Sequence, residues 1–110
     1  MPAVLFVRIT SGLDHDELDR RLLDRRPRFQ DVPGLVQKIY GRDPESGDVC
    51  GIYFFESEEA LRAFRETELA RSIPSAYEAE QVRREAYEVL YPLWPERGPF
   101  ASAESAIVPS

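Results

Sequence analysis

The fold is decided by residues 35–56, LVQKIYGRDPESGDVCGIYFFE. Two runs rich in β-branched and aromatic residues, 35–42 and 49–56, flank the cluster DPESGD. Such runs favour extended strands, and a cluster of Pro, Gly, Asp and Ser between them favours a reversal of the chain. The segment therefore predicts a β-hairpin.

Further strands are predicted on either side of the hairpin, over residues 3–10 and 81–91. A helical segment separates each of them from the hairpin. The order strand–helix–strand–strand–helix–strand predicts a ferredoxin-like α+β fold, in which an antiparallel sheet carries two helices on one face. We expect one domain over residues 1–93. The proline-rich residues 94–110 are predicted to form an extended, partly disordered tail.

Capping residues and prolines mark the two helical segments. Asp14 is a predicted N-cap, and Glu17 three residues later completes a capping box. Pro27 is expected to end or kink this first helix. Ser57 is the second predicted N-cap, and Pro74 bounds the second helical segment.

The first and third strands are apolar on both faces. Val4 and Phe6 alternate with a second apolar set on the first strand, as do Ile52 and Phe54 on the third. Helices on one side of the sheet leave the other side bare, and a bare apolar face indicates an interface. The pattern therefore predicts a homodimer that packs through the sheet face.

Composition excludes several classes of function. The chain has 110 residues and a formal net charge of -6, which argues against a basic nucleic-acid-binding surface. Single cysteine and histidine residues, Cys50 and His15, allow no internal disulfide and no zinc cluster. No apolar stretch approaches the roughly 20 residues that span a bilayer. With no leader pattern at the start, a cytoplasmic location is expected.

Four short stretches carry a family resemblance: PGLVQKIY at 33–40, GIYFF at 51–55, AR at 70–71 and YPL at 91–93. The chain resembles the YdhR-like monooxygenases, which belong with the antibiotic-biosynthesis-monooxygenase group of dimeric α+β barrels. It departs from the family at Gln37, where an aromatic residue is common. A histidine expected just before the AR pair is also absent.

The resemblance implies a dimeric α+β barrel with a pocket between sheet and helices in each subunit. It also implies oxidation of an aromatic or polyketide-like small molecule in secondary metabolism, without metal, flavin or haem. The sequence contains no glycine-rich phosphate loop. Two alternatives remain open on the same fold: a polyketide cyclase-like enzyme and a non-catalytic dimer that binds a small ligand.

Three residues are candidates for catalysis: Lys38, Tyr53 and Arg71. Lys38 is the only lysine and is predicted to stabilise a phenolate or enolate; alternatively, its ammonium reaches solvent from a strand. Tyr53 either donates a proton or packs. Arg71 either approaches the pocket mouth or stabilises a helix C-terminus.

Four further residues are candidates for substrate binding: Arg8, Tyr40, Tyr87 and Trp94. Arg8 is expected to bind an anionic group or to pair with Glu85 or Glu88 on a neighbouring strand. The two tyrosines either line the pocket or pack with satisfied hydroxyls. Trp94 follows the last strand and either covers the pocket or packs on a partner subunit.

Overall fold

The computed structural model describes residues 1–100 and contains one four-stranded sheet with helices on one side. The elements in chain order are β1 (Ala3–Ser11), α1 (His15–Arg25), a 3₁₀ turn (Arg26–Phe29), β2 (Leu35–Arg42), β3 (Val49–Phe55), α2 (Glu58–Arg65), α3 (Glu68–Arg71), α4 (Ile73–Ala76) and β4 (Ala79–Glu88). Within these residues, no helix is long and apolar enough to cross a membrane.

The sheet has the strand order β2-β3-β1-β4, and every neighbouring pair is antiparallel. Leu5 in the centre of β1 lies opposite Tyr53 of β3 and Ala86 of β4. Lys38 of β2 lies opposite Tyr53 on its other side. This arrangement confirms the predicted ferredoxin-like α+β fold.

Side-chain caps begin the two longer helices. Asp14 accepts a hydrogen bond from the Glu17 backbone N–H, and Ser57 accepts one from Ala60. The capping box is only half formed, because the Glu17 carboxylate accepts hydrogen bonds from Arg20 and Arg21 instead of reaching back to the cap. That part of the prediction is wrong: two arginines on the same helix face compete for the carboxylate.

Pro27 and Pro74 each lie in a short helix that the sequence did not predict. Pro27 ends α1 as predicted, but the chain continues as a 3₁₀ turn that buries Phe29. Pro74 occupies the first turn of α4, where its missing N–H costs no hydrogen bond. The second helical segment is therefore three short helices. β4 begins at Ala79 and ends at Glu88, before the predicted position 91.

The core lies between the helices and one face of the sheet, here called the covered face. Alternate residues of β1 and β3 point into it and are buried. The helical side contributes the buried residues Leu18, Phe29, Leu61, Phe64, Ile73 and Tyr77. The core is thus made by one face of each central strand and one side of the helical layer.

The opposite side of the sheet, here called the open face, carries no helix formed by residues 1–100. Its apolar side chains are Val4, Phe6, Ile39, Ile52, Phe54 and Tyr87. Phe6 stacks edge-on against Tyr87 with 6.0 Å between ring centroids, and Phe100 of the tail packs edge-on against Phe54 at 5.5 Å. The doubly apolar pattern of β1 and β3 therefore corresponds to one covered and one open face.

Candidate functional site

Lys38 extends from β2 into a cage of three aromatic rings on the covered face. Its Nζ lies 3.3 Å from the ring centroid of Phe29, 4.3 Å from that of Tyr40 and 4.5 Å from that of Tyr53. Strand geometry places two of these rings beside Lys38, because Tyr40 follows two residues later on the same strand face and Tyr53 is the cross-strand partner. The 3₁₀ turn supplies Phe29.

Gly51 makes room for the lysine stem. A Cβ atom built on Gly51 would lie 3.1 Å from Lys38 Cε and 2.9 Å from a ring carbon of Tyr53. The second distance is shorter than real Cβ contacts, so any side chain at this position would displace the lysine or the tyrosine. The glycine in the predicted GIYFF stretch therefore shapes the cage.

The Lys38 amine has no hydrogen-bond acceptor and no carboxylate partner among residues 1–100. Burial, followed by the charge of nearby Arg25, lowers its pKa from 10.5 to about 7. The aromatic faces act in the opposite sense, because they attract the ammonium form. An amine with this pKa exchanges a proton readily near neutral pH.

The tyrosine hydroxyls beside the lysine remain protonated. Burial raises the pKa of Tyr40 to about 12 and raises the pKa values of Tyr53 and Tyr77. The Tyr40 hydroxyl is buried without a hydrogen-bond partner, whereas the Arg25 side chain lies against Tyr77 and opposes the effect of burial on the Tyr77 pKa. An unpaired buried donor is costly, so the Tyr40 hydroxyl is suited to bind a polar atom of a ligand.

Two adjoining cavities open beside the cage. The first has a volume of about 280 Å³ and is lined by Arg26, Phe29, Gln30, Leu35, Val36, Gln37, Lys38 and Tyr40. The second, of about 370 Å³, lies against α1 and shares Arg26 and Tyr40 with the first. The first cavity combines aromatic walls with two cations and no carboxylate. It is suited to a flat ligand that carries an oxyanion.

The structure brings together three of the seven predicted site residues, Lys38, Tyr40 and Tyr53. Tyr87 lies on the open face, where its hydroxyl donates to Glu85, so the expectation that it lines a pocket between sheet and helices is wrong. The cause is strand parity: Tyr87 pairs with Val4, which also faces away from the helices.

Arg8 also lies on the open face, with partners other than those expected. Its guanidinium donates to Asp48 at 3.0 Å and to Asp43 at 2.9 Å, both in the turn between β2 and β3. The expected pairing with Glu85 or Glu88 is therefore wrong. The turn carboxylates reach over the end of β1 and occupy the guanidinium.

Arg71 and Trp94 lie outside the Lys38 cage. Arg71 ends α3, donates to Glu66 at 3.0 Å and lines a separate cavity of about 200 Å³ together with Arg65 and Arg84. Trp94 follows β4, is 51% exposed and has the Arg97 guanidinium 4.4 Å from its ring centroid. Both remain predictions as functional residues.

Three residues of the cage surroundings were not among the candidates. Phe29 and Arg25 lie near the end of the first helical segment, where their residue types alone do not mark them as site residues. Tyr77 carried one usable signal, since it is the only aromatic residue in the stretch 72–80. Across residues 1–100, the structure contains no group of three or more His, Cys, Asp or Glu side chains placed to hold a metal ion.

Residues 6–94 match the protein family described as "Putative mono-oxygenase ydhR". The chain belongs to this family. The match confirms the resemblance and supports the monooxygenase-like function that it implied over the cyclase and ligand-binding alternatives. No curated protein matches the chain.

Solved structures share the fold at low sequence identity. SnoaB from Streptomyces nogalater, described as a cofactor-independent oxygenase, superposes with a TM-score of 0.69 at 13% identity, over 84% of this chain and 96% of that one. Rv0793 from Mycobacterium tuberculosis gives 0.68 at 16% identity, over 84% and 99%. PA3566 from Pseudomonas aeruginosa gives 0.62 at 21% identity, over 81% and 94%.

Proposed function

We propose that this YdhR-family chain is a cofactor-independent oxygenase that binds an electron-rich aromatic phenol or enol, of the polyketide-like kind, in the cavity beside Lys38. The observation that carries the proposal is the unpaired Lys38 amine among three aromatic rings at that cavity. The description of SnoaB as a cofactor-independent oxygenase on the same fold supports it.

The first step is transfer of the substrate hydroxyl proton to the Lys38 amine. With a pKa lowered to about 7 by burial, Lys38 is partly neutral at physiological pH and accepts the proton. The resulting ammonium then lies beside the phenolate that it created. A buried charge that was costly alone gains a partner of opposite sign, which favours the ion pair over the neutral reactants.

The second step is direct reaction of the anion with O2. The phenolate passes one electron to O2, and the resulting radical and superoxide combine and take up a proton to form a hydroperoxide at the activated ring carbon. Loss of water converts that carbon from CH2 to C=O, so one substrate and one O2 give one ketone and one water. The rings of Phe29 and Tyr40 supply an apolar wall beside the anion, and the unpaired Tyr40 hydroxyl is the donor that we assign to a ligand oxygen.

Oxygen uptake by metal-free protein tests the proposal, with the phenolic anthrone dithranol as the probe substrate and its spontaneous oxidation subtracted. Wild type is expected to consume one O2 per substrate, and Lys38→Met to lower kcat by about 10²-fold. Arg8→Gln is the matched control, since it removes a cation from the opposite face and is expected to leave the rate unchanged. Equal rates for Lys38→Met and wild type would contradict the proposal, and conversion without oxygen would support the cyclase instead.

We also propose that the protein is a homodimer in which two open faces pack together and close the dimeric barrel. Six apolar side chains stand on this face, and the exposed ones include Phe6 and Ile39. Light scattering at micromolar concentration is expected to give the dimer mass for wild type. Phe6→Glu is expected to give the monomer mass with unchanged circular dichroism. A monomeric wild type would contradict the proposal.

A further inference from the structure

We propose that Lys38 is also a covalent capture site, at which the side-chain amine condenses with aromatic aldehydes and ketones to form an imine. The proposal uses the ligand cavity of the proposed oxygenase but requires no oxygen and no phenolic substrate. In this reaction the Lys38 amine acts as a nucleophile, whereas in the proposed oxygenase it acts as a base.

The surroundings of Nζ have the features that make a lysine nucleophilic. Among residues 1–100, no carboxylate holds the ammonium, and three ring faces replace water around it. The positive charge of Arg25 disfavours a second charge nearby, which adds to the effect of burial on the Lys38 pKa. A desolvated lysine beside another cation is the usual setting of imine-forming amines.

The cavity also selects the carbonyl compound. Its lining places the rings of Phe29 and Tyr40 beside the amine, so an aryl aldehyde finds ring faces to stack on while its carbonyl carbon approaches Nζ. A volume of about 280 Å³ accommodates a small aromatic molecule. Aliphatic aldehydes lack the stacking contact and are expected to react without saturation.

The condensation balances with water as the only by-product. The nitrogen lone pair adds to the carbonyl carbon, and one N–H proton moves to the former carbonyl oxygen to give a carbinolamine. The C–O bond then breaks and the oxygen leaves as water with a second proton. The nitrogen gives up its remaining proton as the C=N bond forms, so the protons balance. The unpaired hydroxyl of Tyr40 is the nearby buried donor for this oxygen.

The single lysine gives this chain a clean test, because the only other primary amine is the N-terminus of Met1. The full-length protein is incubated without oxygen at neutral pH with benzaldehyde and sodium cyanoborohydride, which fixes an imine as a stable benzylamine. Intact mass and peptide mapping then give the rate at each amine. We expect Lys38 to be labelled about tenfold faster than free Nα-acetyl-lysine, which is almost wholly ammonium at this pH.

Saturation distinguishes a bound aldehyde from random collision. The rate at Lys38 is expected to level off as benzaldehyde increases, while the rate at Met1 rises in proportion. Acetaldehyde is expected to show no levelling at Lys38. Arg25→Gln is expected to slow Lys38 labelling, and Tyr87→Phe on the open face is expected to leave it unchanged.

Labelling of Lys38 no faster than Nα-acetyl-lysine, or without saturation, would overturn the proposal. Lys38→Arg is expected to leave only the label at the Met1 amine, which confirms that the other label is at Lys38. Because the reaction runs without oxygen, a failure here leaves the oxygenase proposal standing. Failure of oxygen uptake in turn leaves imine formation standing.

Discussion

One cation on each face of the sheet, Arg8 on the open face and Lys38 on the covered face, has surroundings opposite to those of the other. On the open face, Arg8 is half exposed and is bound by Asp43 and Asp48 at about 3 Å. Hydrogen bonds to these carboxylates, Asp43 first, raise its pKa. On the covered face, Lys38 is half-buried among aromatic rings with no carboxylate partner among residues 1–100, and burial, followed by the Arg25 charge, lowers its pKa to about 7.

The difference separates a structural cation from a reactive one. The Arg8 guanidinium donates through Nε and Nη2 to Asp48, Asp43 and Ser46, and it thereby holds the β2–β3 turn against β1. An unpaired amine in an aromatic cage has a higher free energy than a paired one. Reaction with a proton donor or an electrophile lowers that free energy. Strand parity places these two side chains on opposite faces of the sheet.

The largest expected effect compares two adjacent phenylalanines on β3. Phe55 is 0% exposed on the covered face, whereas Phe54 is half-buried on the open face. Phe55→Ala is expected to lower the free energy of unfolding by about 3–5 kcal/mol, because it leaves a cavity in the core. Phe54→Ala is expected to cost about 1 kcal/mol or less.

Urea unfolding of both variants at one low protein concentration checks this pair. Dilution adds a second comparison, since the cost of Phe54→Ala should depend on protein concentration if the open face is the dimer interface. Equal costs at all concentrations would mean that the two faces are covered to the same extent.

The fold followed from the sequence because its local signals agree. The hairpin at 35–56, the caps at Asp14 and Ser57 and the alternation on β1 and β3 all point to the same arrangement. The signals failed where a residue has more than one possible role and the sequence does not choose between them. Glu17 joined two arginines instead of closing its cap, and Pro74 started a helix instead of ending one.

The candidate site was only partly predictable for a related reason. Lys38 and Tyr53 were identifiable as an unusual cation and an aromatic residue on paired strands. Phe29 and Arg25 come from the far end of α1, and no periodicity shows that this end meets β2. The face of Tyr87 depends on the register between β1 and β4, which the sequence of β4 leaves open, since the strand is polar on both sides.

An intermediate effect is expected in the pH dependence of stability. Lys38 has a pKa of about 7 when folded and near 10.5 when unfolded, so the unfolded chain binds more protons between these values. Stability should therefore rise with pH across this window, by about 1 kcal/mol per pH unit at most. Below pH 7 both states carry the proton and the contribution no longer changes.

Urea unfolding of wild type and Lys38→Met at neutral and mildly alkaline pH isolates this contribution, because other groups cancel in the difference. The wild type should gain stability relative to the variant as the pH rises. The matched substitution on the open face, Arg8→Gln, should show no such trend, since an arginine remains charged throughout. A flat difference for Lys38→Met would show that the aromatic cage holds the ammonium form strongly enough to offset the loss of water.

The smallest effect is expected from the tail, whose described part contacts the open face through Phe100. Residues 101–110 of the predicted 94–110 tail lie outside the described residues, so the contact to test is the edge-on packing of Phe100 against Phe54. Truncation after Glu96 is expected to lower the free energy of unfolding by about 0.5 kcal/mol, the lower end for an aromatic pair. Phe100→Ala in the full chain should reproduce most of this loss. In a chain that already carries Phe54→Ala, truncation should not lower the free energy of unfolding further. A loss comparable to that of Phe55→Ala would instead show that the tail stabilises the open face as a structural layer, and two such faces could then meet only after the tail has moved aside.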